Sequence, residues 1–273
     1  MTVCFRSATI CPMKAVILAG GFGTRISEES GVRPKPMVEI GGMPVLWHIM
    51  KIYYSQGITD FVILCGYKGH MIKEFFANYR LKTSDMTFDF DNNEIFYLKK
   101  NTEKWKVTLI DTGEDAMTGG RLLRAKDYIG DEPFLLTYGD GLSDVNIKKL
   151  ISYHQQSKDA LVTVTAVPSP GRFGAFTLTN EDTKILNFKE KPSGDGVAEA
   201  WINGGYFVMQ PEIFSYIKDI QTSLELEPLQ TIAREGKLQA FRHEGFWHPI
   251  DTLRDKTVIE NMWTSGKAPW KIW

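Results

Sequence analysis

Lys14-Ala15-Val16-Ile17-Leu18-Ala19-Gly20-Gly21-Phe22-Gly23-Thr24-Arg25, continued by Arg33-Pro34-Lys35-Pro36, is the stretch on which the reading of this chain turns. The run Ala15 to Ala19 is short, apolar and unbroken, which predicts a strand covered on both faces, as in a parallel sheet. Three glycines follow and let the backbone curl with its N–H groups close to a ligand. Such a concavity takes anions, most often phosphate. Arg25 and Lys35 can add charge-assisted bonds to the same oxygens. A plain glycine turn after a strand is the bland alternative; the Pro-Lys-Pro segment and Arg25 favour phosphate. The dinucleotide fingerprint is absent, because Ile26 stands where its third glycine belongs. A P-loop would close on Gly-Lys-Ser/Thr, whereas this loop closes on Gly23-Thr24-Arg25.

Outward from this stretch, the 273-residue chain is long enough for one large α/β domain. Its 32 Lys+Arg balance 33 Asp+Glu, which argues against a nucleic-acid binder held by bulk charge. Cys4, Cys11 and Cys65 lack metal-ligand spacing and suit a reducing compartment, and Cys65 ends an apolar run as a buried thiol would. No stretch approaches a membrane helix. These features predict a soluble, cytoplasmic protein with no membrane partner. Residues 1–12 precede the first strand and read as a disordered extension. Residues 13–273 read as one domain, whose character changes at Pro168.

Alternating strands and helices over residues 14–167 predict a Rossmann-like, mostly parallel α/β sheet flanked by helices, with added strands after Pro168. Pro44 is placed at the first position of a helix that ends at Gly57. Residues 83–109 break the rhythm and read as short strands or a hairpin. Asp144 is expected to cap a helix, and residues 246–251 to form a loop. Ligands of open α/β sheets bind beyond the carboxyl ends of the strands. Asp140, between Gly139 and Gly141 after the run Phe134 to Tyr138, lies there. It can meet a Mg²⁺ that bridges phosphates or serve as a turn residue. Asp251 is the natural second carboxylate, or a helix N-cap.

Leu18 to Arg25 followed by Lys35-Pro36 resembles the signature of the sugar nucleotidyltransferases. That resemblance runs from about Met13 to the C-terminus and implies a nucleotide-binding half (13–167) and a sugar-binding half (168–273). It implies that Leu18, Ala19, Gly20, Gly21, Phe22, Gly23, Thr24, Arg25, Lys35 and Gly139 hold the nucleotide. It also implies that Asp140 and Asp251 hold Mg²⁺. Glu190-Lys191-Pro192 is similar to the family's sugar-phosphate motif, with Lys191 on the phosphate and Glu190 on the sugar; Gly174, Asn203 and Gly204 join them. Arg25, Lys35 and Lys191 are then the catalytic cations. Asp111-Thr112-Gly113 with Met117-Thr118-Gly119-Gly120-Arg121-Leu122 departs from the uridylyl and thymidylyl pattern. With Pro36 to Ile40 and Ala268 to Lys271, it resembles the glucose-1-phosphate cytidylyltransferases of the family. This implies that Thr118 and Arg121 contact the nucleotide and that the substrates are CTP and glucose 1-phosphate. It further implies a homo-oligomer, a hexamer by resemblance, supplying CDP-glucose for cell-surface dideoxyhexoses such as those of O-antigen. A UTP- or dTTP-dependent transferase and a non-catalytic sensor of sugar nucleotides are the alternatives.

Overall fold

A computed structural model of the chain describes residues 13–23, 33–98, 103–168, 175–178, 185–189 and 201–273, the backbone alone at 175–178 and 185–189. Strand β1 (Lys14–Ala19) leads through the short hairpin β2 (Glu39–Ile40) and β3 (Met43–Pro44) into α1 (Val45–Ser55). Then come β4 (Asp60–Cys65), α2 (Gly69–Ala77), α3 (Tyr79–Thr83), the hairpin β5 (Met86–Asp89) and β6 (Glu94–Tyr97), and β7 (Lys106–Asp111). Next are α4 (Thr118–Arg124), α5 (Lys126–Ile129), β8 (Phe134–Tyr138), β9 (Gly141–Ser143) and α6 (Ile147–Gln156). The remainder is β10 (Val162–Pro168), β11 (Ala175–Leu178), β12 (Ile185–Lys189), β13 (Trp201–Met209), α7 (Glu227–Arg234), β14 (Leu238–Arg242), β15 (Trp247–Pro249) and α8 (Leu253–Thr264).

Nine of these strands form one sheet. Its first part runs β7-β4-β1-β8, every neighbour parallel. The chain winds from β1 out to β7, then returns to lay β8 on the other side of β1. That reversal is a topological switch point, where the loops after β1 and β8 diverge and leave a crevice. Antiparallel β13 continues the sheet beyond β8 and carries β11 and β12 on one edge and β10 on the other, with β14 parallel to β10.

The period-two alternation of β1 explains its apolar run. Ala15 and Ile17 face a core shared with α1, α2, α6 and α8; Val16 and Leu18 face a second core shared with α4, α5 and α7. Ala15, Val16 and Ile17 are fully buried, each branched side chain contributing about 1.5–3 kcal/mol of burial free energy. Cys65 is buried at the end of β4, and burial pushes its thiol pKa up to about 11.

The short strands expected over 83–109 are the β5–β6 hairpin and the start of β7, which pairs with β4 as the outer parallel strand. Three local expectations change. Pro44 is the N-cap of α1 rather than its first residue. The N-cap of α6 is Asn146, whose side chain accepts from the Lys149 N–H at 2.9 Å, and Asp144 turns instead to His243, 3.0 Å away. Residues 247–249 are a strand rather than loop, antiparallel to β9. Residues 1–12 lie outside the described residues, as does much of the stretch from 169 to 200. Among the described residues, no helix is long and apolar enough to cross a membrane.

Candidate active site

The loop after β1 opens into a cavity of about 360 Å³ at the switch point. Leu18 to Gly23 line one side, Lys35, Gly139 and Asp140 another, and Glu114 to Thr118, Arg121, Tyr138 and Ser223 the rest. This volume falls in the range of small-molecule sites. The two strand ends are tied together, since the Gly139 N–H donates to the Leu18 carbonyl at 2.9 Å. A Cβ at Gly139 would stand 2.8 Å from that carbonyl and 2.9 Å from Pro36 Cγ. Only a glycine lets Pro36 pack this closely over the end of β8.

That packing places Lys35. It begins a 3₁₀ turn (Lys35–Met37) with prolines on either side, which fix the local backbone. Its side chain reaches inward and its ammonium bridges Asp140, at 2.6 Å, and Asp251. Burial works to lower the Lys35 pKa, but the two carboxylates outweigh it and hold the ammonium above the ordinary lysine value.

Asp140 and Asp251 meet because of the β9–β15 pairing. Gly141 opposes Pro249, and the Ile250 N–H donates to the Asp140 carbonyl at 2.9 Å. The buried Tyr206 hydroxyl supports the same turn from below, donating to the Gly141 carbonyl at 2.9 Å. Helix α8 is capped not by Asp251 but by Thr252, in a reciprocal capping box with Asp255. The Asp251 carboxylate therefore turns to Lys35. Two hard oxygen donors face one shared cation, a donor set that suits Mg²⁺, which takes one or two carboxylates and fills its shell with substrate oxygens and water. Among the described residues, no group of three or more His, Cys, Asp or Glu makes a metal cage.

Arg121 is buried at the floor. Its Nη1 donates to Thr112 Oγ1 (2.8 Å), the Gly113 carbonyl (2.7 Å) and the Cys65 carbonyl (3.4 Å). Its Nη2 donates to the carbonyls of Gly20 (2.9 Å) and Glu114 (3.1 Å). One guanidinium thus pins the loops after β1, β4 and β7. A Cβ at Gly20 would sit 2.2 Å from Nη1, so this glycine is required by the arginine.

The nucleotidyl transferase family profile matches residues 14–254. The chain belongs to this family. It is 55% identical over 262 residues to a glucose-1-phosphate cytidylyltransferase of Salmonella typhi, covering 96% of this chain and 100% of the relative. A probable glucose-1-phosphate cytidylyltransferase of Bacillus subtilis is 50% identical over the same shares. Among solved structures, HddC from Yersinia pseudotuberculosis superposes with a TM-score of 0.72 at 25% identity, over 92% of this chain and 99% of that one.

In this member of the family, the structure brings Leu18 to Gly23, Lys35, Thr118, Arg121, Gly139 and Asp140 around one cavity, with Asp251 joined through Lys35. Thr24, Arg25, Gly174, Glu190 and Lys191 lie outside the described residues. Asn203 adjoins the cavity through its side-chain amide, which donates to the Tyr138 hydroxyl at 3.2 Å. Gly204 has protein neighbours: a Cβ there would meet Val167 at 2.9 Å and the Thr165 carbonyl at 3.0 Å, where β10 bulges.

The sequence reading missed Tyr138, Ser223 and Glu225. Tyr138 reads as one more apolar residue of a central strand. Glu225 reads as the opening residue of a helix, and its partner Tyr138 lies 87 residues away.

Proposed function

We propose that this chain transfers CMP from CTP to α-D-glucose 1-phosphate, giving CDP-glucose and pyrophosphate. The observation that carries the chemistry is the convergence of Lys35, Asp140 and Asp251 beside the glycine loop. The choice of substrates comes from the end-to-end likeness to the Salmonella typhi enzyme. A phosphate oxygen of glucose 1-phosphate attacks the α-phosphorus of CTP in line, and the bond to the bridging oxygen breaks as pyrophosphate leaves. Positioning and charge neutralisation suffice for such a transfer, so no covalent enzyme intermediate is needed.

In this reading the backbone of Gly20 to Thr24 cradles the triphosphate. Arg25 offsets charge on the departing pyrophosphate, and Lys191 holds the attacking phosphate. Glu190, Asn203, Gly174 and Gly204 border the sugar. Lys35 keeps its proton between the carboxylates and sets positive charge in the cavity wall. Asp140 and Asp251 would hold Mg²⁺, whose contribution when bound is to neutralise and orient phosphate oxygens. A cytoplasmic homo-oligomer feeding cell-surface polysaccharide synthesis completes the reading.

The test is pyrophosphate release with glucose 1-phosphate and Mg²⁺, with CTP, UTP, dTTP and ATP run in parallel. Release with CTP well above the other three is the expected result. Preference for UTP or dTTP would discard the cytidylyl assignment. Silence with all four, alongside binding of a sugar nucleotide, would favour the sensor.

A further inference from the structure

Three hydroxyls in the cavity wall converge on one carboxylate. Glu225 Oε2 accepts from Thr118 Oγ1 at 2.5 Å and from Ser223 Oγ at 2.7 Å, and Oε1 accepts from the Tyr138 hydroxyl at 2.7 Å. Thr118, Ser223 and Tyr138 all line the cavity; Glu225 stands behind them. An ionised carboxylate has no proton to give, so each hydroxyl must spend its proton on Glu225. Toward the cavity these oxygens offer lone pairs alone. A hydroxyl without such an anchor rotates and serves equally as donor or acceptor, so it cannot tell a donor from an acceptor on a base. Arg121, which could otherwise supply donors to the same wall, commits both terminal nitrogens to the loops it pins.

We propose that Glu225 is a specificity-positioning residue: by fixing three hydroxyl protons away from the cavity, it makes this wall accept hydrogen bonds and so favours cytosine over uracil or thymine. Cytosine carries an amino donor at the position where uracil and thymine carry a carbonyl acceptor. An acceptor wall meets the first and confronts the second lone pair to lone pair. The proposal rests on the reading that this cavity takes the base of CTP. Other contacts of the wall follow the same polarity. Thr118 Oγ1 accepts the Leu224 N–H at 2.9 Å, and the Tyr138 oxygen accepts from Asn203 at 3.2 Å. The second of these also links the anchored wall to the strand expected to border the sugar.

The experiment compares kcat/KM for CTP and UTP, with glucose 1-phosphate as co-substrate, in the wild type, Glu225→Gln, Glu225→Ala and Thr118→Val. Glutamine keeps one acceptor and gains a donor. Whichever way its amide lies, at least one hydroxyl must turn its proton elsewhere. The CTP/UTP ratio is expected to fall about tenfold or more in both Glu225 variants, the size of one misdirected buried hydrogen bond. Part of the fall is a gain with UTP, which structural damage cannot produce. Thr118→Val should lower kcat/KM for CTP more than for UTP. In Thr118→Val, whose hydroxyl bonds Glu225 and the Leu224 N–H rather than the sugar strand, KM for glucose 1-phosphate should stay within about twofold. Equal losses with both nucleotides, leaving the ratio unchanged while the wild type prefers CTP, overturn this proposal alone. A wild type that prefers UTP overturns both this proposal and the cytidylyl reading. Should Glu225→Ala fail to fold, Glu225→Gln and Thr118→Val carry the test.

Discussion

Gly20→Ala is the most informative single change in this protein. Gly20 does not adopt a left-handed backbone, so alanine is not opposed by its own torsions. The obstacle is Arg121: a Cβ would lie 2.2 Å from Nη1 and 2.5 Å from Cζ, far inside van der Waals contact. The guanidinium must move by more than an ångström. It now makes four hydrogen bonds of 2.7–3.1 Å and one of 3.4 Å to the loops after three parallel strands. Losing two bonds from a charged donor costs about 3–6 kcal/mol, at about 1.5–3 kcal/mol each. For a chain of 273 residues, at about 2.1 cal/mol/K of unfolding entropy per residue, that lowers the melting temperature by roughly 5–10 °C. A double-mutant cycle separates this cause from others. Urea unfolding of Gly20→Ala, Arg121→Ala and the double variant should show that Gly20→Ala costs under about 1 kcal/mol once the arginine is gone. Additive losses would refute the account, because the glycine would then be required by something other than Arg121.

Asp251→Asn keeps a hydrogen-bonding oxygen near Lys35 but removes a charge. Pyrophosphate release is expected to fall about 10²–10³-fold and the Mg²⁺ needed for half-maximal rate to rise; near-normal turnover at unchanged Mg²⁺ demand removes Asp251 from the site. His48 and His154 are buried, and burial lowers both pKa values to about 4. Their folded values lie below the unfolded one, so the stability they hold is full above about pH 6.5 and is lost as pH falls toward 4, at about 2 kcal/mol for each between pH 7 and 5. His154→Gln should therefore be less acid-sensitive than the wild type in urea titrations at the two pH values; parallel losses would contradict this.

Much of the parallel core was legible because its signals are local. An unbroken apolar run before three glycines marks β1, and the run Phe134 to Tyr138 is β8 from end to end. What escaped was settled by distant partners. Three residues ending in proline carry no strand signal, and β15 exists because β9 offers it an edge. Asp144 and Asn146 are equally good caps in the sequence; His243, about a hundred residues on, draws Asp144 away. Arg121 shows the same limit: helix spacing cannot tell an arginine on solvent from one buried beneath three loops. Among candidate site residues, Lys35, Asp140 and Asp251 were each recognisable by type, but their meeting around one ammonium depends on the β9–β15 register.

The pairing of β9 with β15 also orders events on the ribosome. Lys35 waits for a partner 105 positions later and another 216 positions later. One edge of β1 stays bare until β8 has emerged, a long-range closure of the kind that slows folding and invites mispairing. Asp251 arrives with the last strand, so a nascent chain holds the parallel sheet before it holds the second carboxylate. In the proposed mechanism turnover is thus a property of the finished polypeptide, and an unfinished one carries the cavity without the second of its carboxylates.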